Sequence, residues 1–148
     1  MIRMKIYNSG QSLFEVVVAI GIVSGILVGI ISLATHSVNN SIFSRDKSQA
    51  QVYTQEALEW LRGQRDMGWD SFASHSNGSG ITWCMDNLAW GNSGPCGSNE
   101  TISSTNFRRQ AELKTESPDE IFITVSTIWE SGGRSHKAQA STKLNNWK

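Results

Sequence analysis

Hydrophobic and polar positions fall into three regimes along the chain. Residues 16–35 form an unbroken run of apolar and small residues that carries no charge. Those twenty positions, at ~1.5 Å rise, span about 30 Å, the thickness of a bilayer hydrocarbon core. Beyond residue 35 the pattern becomes amphipathic: Val38, Ile42, Ala50, Tyr53, Ala57, Trp60 and Leu61 recur at helical spacings. Residues 36–65 contain no proline and a single glycine, Gly63. Glu59 with Arg62, and Arg62 with Asp66, are spaced to pair on a helix surface. The pattern predicts one continuous helix over about residues 12–64, ended by Gly68. Its first half suits lipid, and its second half backs onto a globular part.

The third regime is β-like. Residues 74–104 are rich in Ser, Asn and Gly and predict irregular surface loops. Residues 106–114 read as a first strand, Ser117-Pro118-Asp119-Glu120 as a turn, and 121–130 as a strong strand of β-branched and aromatic residues. Ile121, Ile123, Val125, Thr127 and Trp129 share one face of that strand; Phe122, Thr124, Ser126 and Ile128 share the other. Gly132-Gly133 predicts a hairpin turn. Residues 134–144 return, with Ala138, Ala140, Thr142 and Leu144 on one face. The expected fold class is α+β: a long N-terminal helix, its first half transmembrane, packed on a small antiparallel sheet of three or four strands.

The flanks of the apolar run set its direction. Arg3 and Lys5 precede it without an acid, so the N-terminus stays cytoplasmic and the rest is exported. Glu15 stands at the mouth of a segment otherwise built for lipid. A carboxylate there costs several kcal/mol unless it is paired, which marks it as functional. A secretory signal peptide cut after Ser32-Leu33-Ala34 is one alternative. An ordinary signal anchor, holding an exported domain unrelated to filaments, is another; it accounts for the span and leaves Glu15 unexplained.

Basic leader, Gly10-Gln11-Ser12-Leu13-Phe14-Glu15 and apolar run together resemble the class III leader of type IV pilins and pseudopilins. The resemblance covers about the first 35 residues. It implies cleavage by a prepilin peptidase between Gly10 and Gln11, which makes Glu15 the fifth mature residue. It also implies N-methylation at Gln11 and a contact between that amino group and Glu15 of a neighbouring subunit during assembly. Two opposite charges in a helix bundle cost less together than apart. Gln11 stands where the family commonly has Phe or Met, and Ser32 where major pilins often carry proline. With the pattern Ser12-Leu13-x-Glu15-Val16, these features look more like a minor pilin or minor pseudopilin. The division that follows is leader 1–10, transmembrane and filament-core helix 11–35, amphipathic half 36–66, and globular domain 67–148. The implied partners are prepilin peptidase, other pilin subunits, a membrane assembly platform with its ATPase, and membrane lipid before assembly. The implied location is the plasma membrane, single-pass, and then a cell-surface filament or pseudopilus.

Composition narrows the chemistry. The 148 residues suffice for one domain, with 13 basic against 13 acidic side chains. Processing would remove two of those basic residues and no acidic one, leaving a net charge near −2. No basic excess argues for tight nucleic-acid binding. Cys84 and Cys96 have the wrong spacing for a zinc knuckle. In an exported domain they read as a disulfide closing the loop; two free thiols belong to the alternative of a reducing compartment.

His36, His75 and His136 share no ligand spacing, and no nucleophile elbow, P-loop or zincin motif is present. Neither catalysis, a cofactor nor a metal is expected. The remaining candidates are a binding role for Trp83 and Trp90 in the polar loop and for the compact basic pair Arg108-Arg109. They support a second reading, a filament-tip or competence pilin contacting DNA or a surface. Against that stands tryptophan packing over the cysteine loop.

Overall fold

The structure, a computed structural model, describes residues 13–147. Gly10 and Gln11 lie outside the described residues. The chain divides into two units, Met1–Ile42 and Phe43–Lys148.

Helix α1 runs Leu13–Met67, 55 residues. It continues three residues past the predicted end, up to Gly68, which supplies the break. In the first unit, every described residue from 13 to 42 is exposed, including Leu13 at 81 % and Leu33 at 72 %. Here α1 carries a stretch long and apolar enough to cross a membrane.

In the second unit, α1 packs on a four-stranded antiparallel sheet, β1 (Ile81–Cys84), β2 (Arg108–Ser117), β3 (Glu120–Ser131) and β4 (Arg134–Asn145), in that spatial order. A short helix α2 (Trp69–Ala73) follows α1. The β3–β4 hairpin turns at Gly132 and Gly133, both at positive φ of 60° and 72°, which side chains resist. Its register runs from Ser131↔Arg134 to Glu120↔Asn145.

The alternation expected along β3 is observed. Ile121, Ile123, Val125, Thr127 and Trp129 are all buried. Ile121, Ile123 and Val125 meet Ala57, Leu58 and Leu61 of α1, Trp69 and Phe72 of α2, and Leu144 of β4 in one apolar cluster. A second cluster gathers Ala50, Phe107, Trp129 and Ala138. Each fully buried Ile, Val or Leu contributes roughly 1.5–3 kcal/mol. A buried hydroxyl pair crosses the helix–sheet interface: Thr54 and Thr127 share a 2.8 Å hydrogen bond, and Thr54 also donates to the Ala50 carbonyl at 2.8 Å.

Two sequence expectations are corrected. β2 begins and ends later than residues 106–114, because Phe107 turns into the second core cluster instead of pairing with β3. The stretch 74–104 also holds a strand, β1, whose four residues pair with Leu113 to Gln110 of β2. Their ladder is tertiary and leaves no periodic trace in so short a segment.

Candidate functional site

Three groups of predicted residues can be located. Glu15 lies in the first turn of α1, where a carboxylate faces the positive end of the helix dipole. It is the one charged residue between positions 13 and 35. The apolar side chains around it are exposed, in a stretch long and apolar enough to cross a membrane.

The second group is the cysteine loop. Cys84 and Cys96 form a disulfide, with Cα atoms 4.7 Å apart. The bond draws residues 91–96 alongside β1. Gly94 N–H donates to the Thr82 carbonyl at 2.7 Å, Cys84 N–H donates to the Asn92 carbonyl at 3.4 Å, and Trp83 bridges to Ser93. The loop thereby covers the outer edge of the shortest strand.

Trp83 and Trp90 are half-buried and packed against each other, edge to face at 5.5 Å. The His75 ring stacks on Trp90 at 3.8 Å. The Trp83 indole N–H donates to the His75 carbonyl at 2.8 Å, and that of Trp90 to Gln64 Oε1 at 3.1 Å. Trp60 meets Trp90 edge-on at 5.2 Å. The indoles of Trp83 and Trp90 satisfy their polar handles internally, the behaviour of structural tryptophans. These rings join α1, the segment after α2 and the cysteine loop.

The third group, Arg108-Arg109, is not a surface pair. Strand alternation sends the two side chains to opposite faces. Arg109 is buried, with 2 % of its side chain exposed. It donates to the Met85 carbonyl at 3.0 Å, the Tyr53 carbonyl at 3.2 Å and Glu56 Oε2 at 2.8 Å. Burial on this scale removes it from any contact with DNA or a surface. Arg108 faces the other side, 3.8 Å from Glu130. Position 109 falls on the inward row with Ala111 and Leu113, a register signal that the compact Arg-Arg pair obscured.

A cluster that sequence reasoning did not reach sits at the β2–β3 turn. Lys143 Nζ lies 2.7 Å from Glu116 Oε2 and 2.8 Å from Glu120 Oε1. Hydrogen bonds to Glu116 and then Glu120 hold the ammonium charged well above the ordinary lysine range. The bond from Lys143 in turn pulls the Glu116 carboxyl below its ordinary range. The carboxylates at this turn are answered by a lysine rather than gathered around an open cation position. Among the described residues no group of His, Cys, Asp and Glu is placed to hold a metal ion.

A groove of about 330 Å³ lies between α1 and β4, lined by Gln51, Thr54, Gln55, Ala138, Gln139 and Ala140. A shallower, larger one of about 480 Å³ is bordered by the end of α1 and by Asn145 to Trp147, where Arg65 sits 4.7 Å over the Trp147 ring.

Comparison with family models, curated proteins and solved structures finds no match to this chain. What the structure does establish is a long apolar N-terminal helix, an antiparallel sheet packed on its later turns, and a disulfide, a combination compatible with a pilin-like fold.

Proposed function

We propose that the chain is a structural subunit of a type IV pilus-like filament, a minor pilin or pseudopilin. The observation that carries this reading is the union of two features in one helix. An exposed apolar stretch bears the single carboxylate Glu15 in its first turn, and the later turns of the same helix hold the sheet. Exposed apolar surface of that extent needs lipid before assembly and neighbouring helices after it. Glu15 then supplies the point of attraction for the new amino group of an adjacent subunit, once the leader has been cut between Gly10 and Gln11. Prepilin peptidase, other pilin subunits and a membrane platform with its ATPase are the partners this reading requires. The plasma membrane, followed by a surface filament or pseudopilus, is its location.

Mass spectrometry of the mature N-terminus tests it. A chain beginning at Gln11, dependent on prepilin peptidase, is the expected result. An intact leader, or a cut near Ala34, overturns it. The tip or competence reading, with DNA or surface binding through the polar loop, has lost Arg109 to the interior and has Trp83 and Trp90 engaged in packing. The structural-subunit reading is therefore preferred.

A further inference from the structure

The two edges of the sheet are treated differently. The edge of β1 is covered by residues 91–96, which the disulfide holds in place. Among the described residues the edge of β4 has no neighbouring strand, although β4 is 12 residues long and β1 only four. An uncovered edge presents a row of backbone donors and acceptors to any extended chain that can reach it. The β3–β4 hairpin closes on the Ser131–Arg134 pair, and pairs along an antiparallel ladder alternate between hydrogen-bonded and open. Counting from the turn, Ser135, Lys137, Gln139, Ser141 and Lys143 direct their N–H and C=O groups away from β3.

The side chains define what fits. β4 contains Arg134, Lys137 and Lys143 and no carboxylate. Among the described residues, Arg134 and Lys137 make no salt bridge. On the helix side, Ala138 and Ala140 leave room in the groove beside Gln51 and Gln55, enough for small polar side chains of an added strand. A second copy of β4 brings the same two unanswered cations, Arg134 and Lys137, and no carboxylate of its own to neutralise them. A second copy of β1 arrives with its edge already covered.

We propose that β4 is a docking edge for an extended segment of a different protein, one carrying carboxylates at alternate positions, which adds to the sheet as a fifth strand. Backbone hydrogen bonds supply the affinity, Lys137 reads the acidic row on the outer face, and the Gln51–Gln55 groove receives the inward row. This holds whether or not the chain assembles into a filament.

The test uses the full chain in detergent micelles and a labelled, end-blocked peptide of alternating threonine and glutamate, as long as β4. Its isomer with lysine in place of glutamate is the control, and binding is read by fluorescence anisotropy. Saturable binding of the glutamate peptide alone is expected. Gln139→Pro removes one outward N–H from an edge position that tolerates proline. It should weaken binding about fivefold, the equivalent of one backbone hydrogen bond, while Gln139→Ala, which keeps that N–H and trims one groove-lining side chain, should weaken it less. Lys137→Glu should weaken binding as well. If circular dichroism shows that Gln139→Pro disturbs the sheet, a peptide N-methylated at alternate residues asks the same question from the ligand side. No binding, or equal binding of the lysine peptide, overturns the proposal. So does binding that survives both Gln139→Pro and peptide N-methylation, since that is ionic adhesion without strand addition. A dimer of the chain that dissociates on Gln139→Pro also overturns it by making a second copy the occupant.

Discussion

Arg109 of β2 donates to Glu56 of α1 at 2.8 Å while its guanidinium also holds the main-chain carbonyls of Tyr53 and Met85. One side chain thus fastens the helix, the sheet and the segment that follows the first cysteine. The arrangement is asymmetric: Arg109 is buried, whereas half of the Glu56 side chain is exposed.

That asymmetry predicts unequal costs. Arg109→Met takes the guanidinium from the Met85 carbonyl, leaves the Tyr53 carbonyl with its helical partner alone and leaves poorly filled space, and should destabilise the chain by about 2–4 kcal/mol. Glu56→Gln keeps an acceptor beside a guanidinium that retains its carbonyls, and solvent already screens the charge, so about 1 kcal/mol or less is expected. Urea denaturation of both variants in micelles checks the order. Equal costs would mean that the ion pair, and not the carbonyl contacts, dominates.

Thr54 and Thr127 make a second directional pair. The Thr54 hydroxyl proton goes to the Ala50 carbonyl, so Thr127 must donate to Thr54. Thr54→Val leaves the Thr127 donor buried without an acceptor, at a cost of about 1–2 kcal/mol. Thr127→Val leaves Thr54 bonded to Ala50 and should cost less. In the double variant neither group is stranded, so its loss of stability should fall short of the sum of the single losses; a double-mutant cycle measures the difference.

The disulfide closes a loop with a sequence separation of 12, and its removal should cost about 3 kcal/mol on the chain-entropy estimate. In Cys84→Ala/Cys96→Ala the amide of Gly94, held by the Thr82 carbonyl, should lose protection from hydrogen exchange before amides of β3 do. Tryptophan fluorescence should shift to the red as Trp83 and Trp90 gain solvent. Unchanged protection at Gly94 would show that the loop keeps its place by packing alone.

The Lys143 cluster gives stability a defined pH dependence. Glu116 has its folded value lowered from an ordinary 4.5, so its contribution is present above that pH and is lost as pH falls through the folded value. Lys143 has its folded value raised from an ordinary 10.5, so its contribution is complete below that pH and is lost only as pH rises through the higher folded value. The difference in melting temperature between the unaltered chain and Lys143→Met should therefore be flat through neutral pH and shrink below about pH 4.5. Both side chains are solvated, so added salt should reduce the difference at every pH. A difference that grows on acidification would contradict this origin.

The long helix, the β3–β4 hairpin and its buried face were legible because each rests on a local signal: an uncharged apolar run, a strict alternation, a Gly-Gly turn. Cys84 and Cys96 were legible through the exported context assigned to the domain, and the structure joins them. β1 was not legible, since Ile81 to Cys84 become a strand only through partners some thirty residues away. Arg109 was not legible, since its neighbour Arg108 suggests a compact basic pair, whereas a β-strand sends the two side chains to opposite faces. The burial of Trp83 and Trp90 depends on Gln64, His75 and Trp60, which lie on other segments and share no spacing with them.

The covering of β1 has a consequence for how this sheet behaves at high local concentration. Edge-to-edge stacking becomes a polymer only when every member is divalent, able to receive on one margin and donate on the other. With residues 91–96 lying across β1, each copy is left with one margin to offer. Association through the sheet then terminates after a single partner and cannot run on into a fibre. The disulfide sets a valence as well as a stability, and breaking it would restore the second margin.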